Sequence, residues 1–195
     1  MIITFLSYKG GVSKTTTALH IAALLNEHAP AVLIDADANR SALAWAHRGA
    51  LPFRVADEGE AARVARQFEH IIVDTAARPA GAKLKGYVDG SDKLVLVVAP
   101  DALSLDAALP AISDLQALGA RFSILLAMVR PNTGEGDAAR AALERLGVPV
   151  LASMIRQYVA ARKAALEGVL VCDVTDARAA ELWADYTALC EELQQ

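Results

Sequence analysis

The chain has 195 residues, 54% hydrophobic and 22% charged, with a net charge of −4. That length suits one domain burying roughly 70% of its extended-chain surface, and the composition excludes a disordered or collagen-like chain. Its longest nearly apolar runs, 94–100 and 122–129, are too short to span a bilayer, and the opening MIITFLSYKGG lacks the features of a secretory signal, so a soluble cytoplasmic protein is expected.

In chain order, strands are predicted at residues 2–6, 31–34, 53–56, 70–74, 93–99, 122–129 and 149–152. Helices are predicted at 15–28, 41–47, 59–68, 104–118, 137–146, 158–166 and 175–193. The runs VLID, IIVD and LVLVVA are apolar on consecutive positions, the pattern of strands covered on both faces. Strand and helix alternate, so the expected fold is α/β: a doubly wound, mostly parallel sheet with helices on both faces. No linker, low-complexity tract or repeat interrupts it, and residues 1–195 read as one domain. Cys172 and Cys190 are too few and too isolated for a disulfide framework or a zinc site.

The most informative stretch is 7–17, SYKGGVSKTTT, which follows the first strand and opens the first helix. A glycine-containing turn leading into a helix N-terminus offers its amides to an anion, here from Gly10, Gly11, Val12, Ser13, Lys14, Thr15 and Thr16. Lys14 is placed to reach β and γ phosphates, and the Thr15 hydroxyl to ligate Mg²⁺. The strict G-x-x-x-x-G-K-[ST] spacing fails, because Tyr8 and Ser13 stand where glycine is expected. What stands instead, K-G-G-x-x-K-T, resembles the deviant Walker A motif of the ParA/MinD family of P-loop ATPases, with Lys9 as that family's additional lysine.

Two further segments agree. VLIDADANRS, 32–41, brings Asp35 and Asp37 out at the end of a strand, the rim where ligands sit in open α/β sheets. It resembles the family's D-x-D-P-Q-x-S switch I segment, with Ala38 for Pro and Asn39 for Gln; by that resemblance Asp37 positions the attacking water and helps hold Mg²⁺. HIIVDTAA, 70–77, is an apolar strand ending in Asp74, a Walker B-like acid for Mg²⁺, with Arg78 and Pro79 opening a switch II loop. By the same resemblance Asn132, in the loop after 122–129, contacts adenine.

The resemblance covers essentially the whole chain and implies the small ParA-type branch. It implies ATP and Mg²⁺ as cofactors, slow hydrolysis stimulated by a ParB-like or other activating partner, and a homodimer with ATP in which Lys9 reaches the partner's phosphates. It also implies nonspecific binding of double-stranded DNA, a nucleoid-associated location, and segregation or positioning of a plasmid, chromosome region or protein assembly. The charge pattern allows a DNA surface. Residues 145–166 carry Arg145, Arg156, Arg162 and Lys163 with no acid, whereas 167–195 carry seven acids and only Arg178, so Arg156, Arg162 and Lys163 are the DNA candidates. The acidic last helix disfavours a MinD-like membrane regulator and is expected to pack on the domain through Leu182, Trp183, Tyr186 and Leu189. A P-loop metabolic enzyme of the ATP-dependent ligase type stays open as the alternative.

Overall fold

The apolar runs line up side by side in one parallel sheet. The computed structural model describes residues 1–195. In chain order the elements are β1 (Ile2–Leu6), α1 (Lys14–Asn26), β2 (Ala31–Ala36), α2 (Ser41–Arg48), β3 (Arg54–Asp57), α3 (Ala61–Val64) and β4 (His70–Thr75). There follow α4 (Gly81–Gly90), β5 (Lys93–Val98), α5 (Ala102–Ala117), β6 (Ser123–Val129), α6 (Glu135–Glu144), β7 (Val150–Arg156), α7 (Val159–Glu167) and α8 (Ala179–Leu193). The strand order is β3-β2-β4-β1-β5-β6-β7, with every neighbouring pair parallel. The chain winds from β1 toward β2 on one side and, after β4, crosses to β5 on the other. That reversal opens a crevice at the C-terminal end of β1, where sheets of this kind bind ligands.

Successive side chains of a strand point to opposite faces, and here both faces are covered. Val95 and Val97 pack with Leu19 and Ile21 of α1, Ala160 of α7 and Leu182 and Leu189 of α8. Leu94, Leu96 and Val98 pack with Leu84 of α4, Ile112 and Leu115 of α5 and Leu143 of α6. Burying a leucine as completely as Leu19, Leu96 or Leu115 contributes about 2 kcal/mol. The doubly wound sheet expected from the consecutive apolar runs is therefore present. No helix is long and apolar enough to cross a membrane.

Several elements differ from the expectation. The helix expected over 59–68 shrinks to α3 between two 3-10 turns; Val64 is the one fully buried residue of this stretch, with Ala61 and Phe68 partly buried beside it. α4 was not expected, since Gly81, Gly86 and Gly90 each disfavour a helix by about 1 kcal/mol; burial of Leu84 and half-burial of Tyr87 and Val88 in the second core supply what propensity does not. β7 runs on to Arg156 instead of ending at 152, and α8 starts at Ala179 rather than 175.

β7 also carries the sheet's irregularities. Ile124 faces Val150 but Leu126 faces Met154, so residues 151–153 bulge out of the ladder. Their backbone groups find other partners: the Ala152 and Ser153 amides donate to the Glu192 carboxylate at 2.6 and 2.8 Å, and Arg140 donates to the Leu151 and Ala152 carbonyls at 2.6 and 2.9 Å. A second shift leaves Met128 of β6 unpaired at φ 60°. α8 packs as expected, with Leu182, Tyr186 and Leu189 fully buried and Trp183 partly so.

One contact ties α2 to the far end of the chain. A Cβ on Gly49, just past α2, would lie 2.5 Å from the carbonyl oxygen of Gly168 at the end of α7, so only two glycines allow the approach. Trp45 Nε1 donates to the Val169 carbonyl at 3.1 Å and Arg48 Nε to the Ala165 carbonyl at 2.9 Å.

Candidate functional site

The loop between β1 and α1 turns through left-handed backbone at Gly11 (φ 76°) and again at Ser13 (φ 69°, ψ 18°), the residue that caps α1. The Ser13 carbonyl accepts from both the amide and the hydroxyl of Thr17, at 2.9 Å each, which locks the first turn of α1. Tyr8, the other residue in a glycine position, turns away from the loop into the second core. Its hydroxyl donates to the Pro79 carbonyl at 3.2 Å and lies 3.1 Å from an Asp114 oxygen; burial first and Asp114 second push it up to about 12. The Arg78 amide donates to the Ser7 carbonyl at 2.8 Å and its Nε to the Tyr8 carbonyl at 2.7 Å, so the loop after β4 is fastened to the loop after β1.

Lys14 and Asp74 meet at the floor. Lys14 is buried and its ammonium donates to Asp74 Oδ1 and to the Thr75 carbonyl. Asp74 is fully buried; burial pushes its carboxyl up from the usual carboxylate range, and the Lys14 ammonium opposes that rise. Its second oxygen, Oδ2, has no hydrogen-bond partner, and Thr15 lies within reach of the same carboxylate. A buried anionic oxygen left open beside a hydroxyl fits a Mg²⁺ ion or one of its waters. There is no group of three or more His, Cys, Asp or Glu residues that could hold a metal ion.

The two acids at the C-terminal end of β2 have different surroundings. Asp35 is 2% exposed and accepts from the Asp37 amide at 3.2 Å and the Leu43 amide at 3.0 Å, so it shapes the turn and caps α2. Asp37 is half-buried, accepts from the Asn39 amide at 2.9 Å and lines the cleft with Asn39 and Ser41. The spacing alone does not separate these roles.

The cleft has a volume of about 790 Å³ and is lined by Gly10, Gly11, Val12, Ser13, Lys14, Thr15 and Thr16 on the loop side. Asp37 stands at one wall, with Met128, Gln157 and Tyr158 at another. Lys9 does not line it. Lys9 Nζ lies instead on a neighbouring hollow, 2.9 Å from Asp101 Oδ1 and 3.0 Å from Ser104 Oγ. Trp45, Arg48 and Tyr186 also line the main cleft and carried no signal in the sequence, where Tyr186 falls on the apolar side of a helix.

Other expected residues lie apart from the loop cleft or in ion pairs. Asn132 lies at φ 61° in the turn after β6 and lines a separate hollow of about 340 Å³ with Arg130 and Gly136, outside the main cleft. The basic stretch is not an open patch. Arg156 is bidentate to Asp185, with Nη2 at 2.7 Å, and also reaches Glu181; Lys163 pairs with Asp176 at 2.8 Å. Acids of the tail thus pair with two of the four bases that precede them in sequence. Arg156 and Arg162 both line the main cleft, and Arg162, which is exposed, makes no ion pair.

This geometry has counterparts among known proteins. A family model described as the CobQ/CobB/MinD/ParA nucleotide binding domain matches residues 3–171. The protein called Maintenance of carboxysome distribution protein A from Gloeobacter kilaueensis is 35% identical over 203 residues, covering 100% of this chain and 94% of that one. Its namesake from Halothiobacillus neapolitanus is 25% identical over 178 residues, covering 84% and 82%. Among solved structures, apo McdA from Cyanothece superposes with a TM-score of 0.76 at 14% identity, covering 98% of each chain. MinD of Aquifex aeolicus gives 0.75 at 18% identity, covering 99% and 96%. The structural likenesses bear on the fold; the family match over most of the chain, with Lys14 and Asp37 lining one cleft and Asp74 paired to Lys14, places this protein in the CobQ/CobB/MinD/ParA nucleotide-binding family.

Proposed function

We propose that the protein is a ParA-type ATPase that positions a large protein assembly of the carboxysome kind. The Lys14–Asp74 pair at the floor of a glycine loop, with one Asp74 oxygen left open, carries the nucleotide reading. The 35% identity to a relative named for carboxysome distribution carries the cargo class.

Bound MgATP supplies the phosphoryl group and the cation; the residues of this chain position and exclude. The amides of residues 10–16 receive the phosphate oxygens at the N-terminus of α1. Lys14 would hold the β and γ phosphates, and Thr15 and Asp74 would hold the metal ion or its waters. Asp37, at the cleft wall, orients the water. Lys9 leaves Asp101 to cross to the phosphates of a second subunit, so ATP holds the homodimer together and hydrolysis releases it. The reading extends to a nonspecific double-stranded DNA matrix contacted by surface cations, Arg162 among them, and to an activating adaptor protein. Nothing in the site favours the ligase alternative, and a membrane-bound form is disfavoured by the burial of the apolar side of α8.

The deciding experiment measures phosphate release and mass by light scattering in MgATP and MgADP. Slow turnover with an ATP-specific dimer supports the reading. A monomer in both nucleotides, turning over a second substrate, would favour the enzyme alternative.

A further inference from the structure

Two arginines on the outer wall of the cleft have no acid to answer them. Arg48 ends α2 and Arg162 lies within α7; both are exposed, and both line the cleft. Arg48 Nε donates to the Ala165 carbonyl at 2.9 Å, and its other nitrogens bond to nothing in the fold. Ala165 stands three residues after Arg162, so the Arg48 guanidinium is held about one helical turn from the point where Arg162 leaves α7.

Elsewhere the cations are answered: Arg40, Arg54, Arg130, Arg156 and Lys163 each meet a carboxylate. α2 and α7 carry a single acid between them, Glu167 at the last position of α7. Two unneutralised guanidinium groups this close repel each other and focus a positive field at the mouth of the cleft, on a chain whose net charge is −4. The backbone holds them together. A Cβ on Gly168 would lie 2.4 Å from the Gly49 nitrogen, so the residue after Arg48 is pressed against the end of α7, and Trp45 is bonded to the Val169 carbonyl beside it.

We propose that Arg48 and Arg162 form one site for the sugar–phosphate backbone of duplex DNA, built across the contact between α2 and α7. The proposal rests on the DNA reading above and adds Arg48 as the second half of the contact. Guanidinium forks match phosphate oxygens, and a phosphodiester chain supplies the successive anions that two cations a turn apart require. The aromatic residues nearby are tied down, Trp45 to Val169 and the Tyr158 hydroxyl to Glu181 at 2.8 Å, so no free ring is offered to unstacked bases. What the pair fits is a duplex, held without regard to sequence.

The test is an anisotropy titration of a labelled duplex in MgATP across a salt series, with MgATP affinity of each variant measured by calorimetry. Arg48→Gln and Arg162→Gln should each lower the log–log salt slope by about 0.9 for each contact removed, and the double variant by about twice as much. Arg48→Lys, which keeps the charge without the Nε bond, should retain most of the slope. Arg121→Gln removes an exposed cation just before β6, at the opposite end of the sheet, and should change nothing. A wild-type slope in Arg48→Gln, a loss of MgATP affinity in either variant, or polyglutamate or single-stranded DNA competing as well as duplex overturns the proposal. A wild type that hydrolyses ATP but binds no duplex overturns the DNA reading beneath it.

Discussion

Lys9 is folded back onto its own subunit, its ammonium 2.9 Å from Asp101 Oδ1 while Ser104 Oγ lies 3.0 Å away. The Ser104 hydroxyl first, and Lys9 after it, hold the Asp101 carboxyl down at about 2. A lysine committed to reach another subunit must first give up these bonds. Lys9→Ala is expected to keep nucleotide affinity in the monomer and lose the ATP-dependent dimer. Asp101→Asn keeps the helix cap but drops the charge, and should lower the ATP concentration at half-dimerisation by up to about fivefold, the range of an exposed ion pair. Light scattering across an ATP titration reads both, and an unchanged midpoint in Asp101→Asn would separate the pair from assembly.

Lys14→Ala should abolish MgATP binding and also destabilise the fold. It leaves Asp74 buried without its counter-charge, a loss of about 3 kcal/mol at neutral pH. Acidification lets Asp74 take up a proton, so the gap between variant and wild type should narrow as pH falls. Urea midpoints at two pH values check this, and a gap that widens in acid contradicts it.

Asp37→Ala should hold nucleotide and dimerise but fail to turn over, because Asp35 already serves the turn and Asp37 faces the cleft. Hydrolysis at the wild-type rate in a phosphate-release assay would reassign the water to another residue.

His20 makes stability depend on pH. Its folded value, about 4, lies below its ordinary 6.5, so the unfolded chain binds the proton more readily. The stabilisation is complete above about 6.5 and is lost as pH falls toward 4, amounting to roughly 3 kcal/mol for this fully buried ring. His20→Gln should flatten the fall in unfolding free energy between pH 7 and 4.5; an equally steep fall in the variant would assign it to other groups.

The proposed contact with DNA is best tested at Arg162. Arg162→Glu alters an exposed cation without an ion pair and should weaken ATP-dependent binding to unrelated duplexes alike, as phosphate contacts do. Arg156→Ala should instead cost about 2 kcal/mol of stability, since Arg156 joins β7 to Asp185 and Glu181. Full DNA affinity of Arg162→Glu in a salt-dependent anisotropy titration would move the surface elsewhere.

These cases show what was legible in the residues. The placement of the glycine loop, Asp37 and Asp74 at strand ends was, because their spacing is local and each follows or closes its own strand. The doubly wound sheet was as well, since strands buried on both faces must read as unbroken apolar runs. α4 was not, because Leu84 pays for its glycines through a core that only the folded chain assembles. The pairing of the basic stretch was not legible either, because charge along a sequence ignores partners on other elements: Arg156 meets Asp185 and Lys163 meets Asp176 only once the chain is folded. Tyr186 was hidden for a similar reason, its helical spacing being that of an ordinary core residue.

The bulge in β7 has a consequence for assembly. An edge strand with free amides and carbonyls is an invitation to a neighbouring chain, and here Glu192 and Arg140 occupy those groups at 151–153 while Asp185 takes the Arg156 amide at 3.0 Å. The opposite edge, β3, is only four residues long. Copies of this protein are thus discouraged from joining sheet to sheet into an unregulated fibre, and the ATP-dependent dimer proposed above would not compete with such pairing.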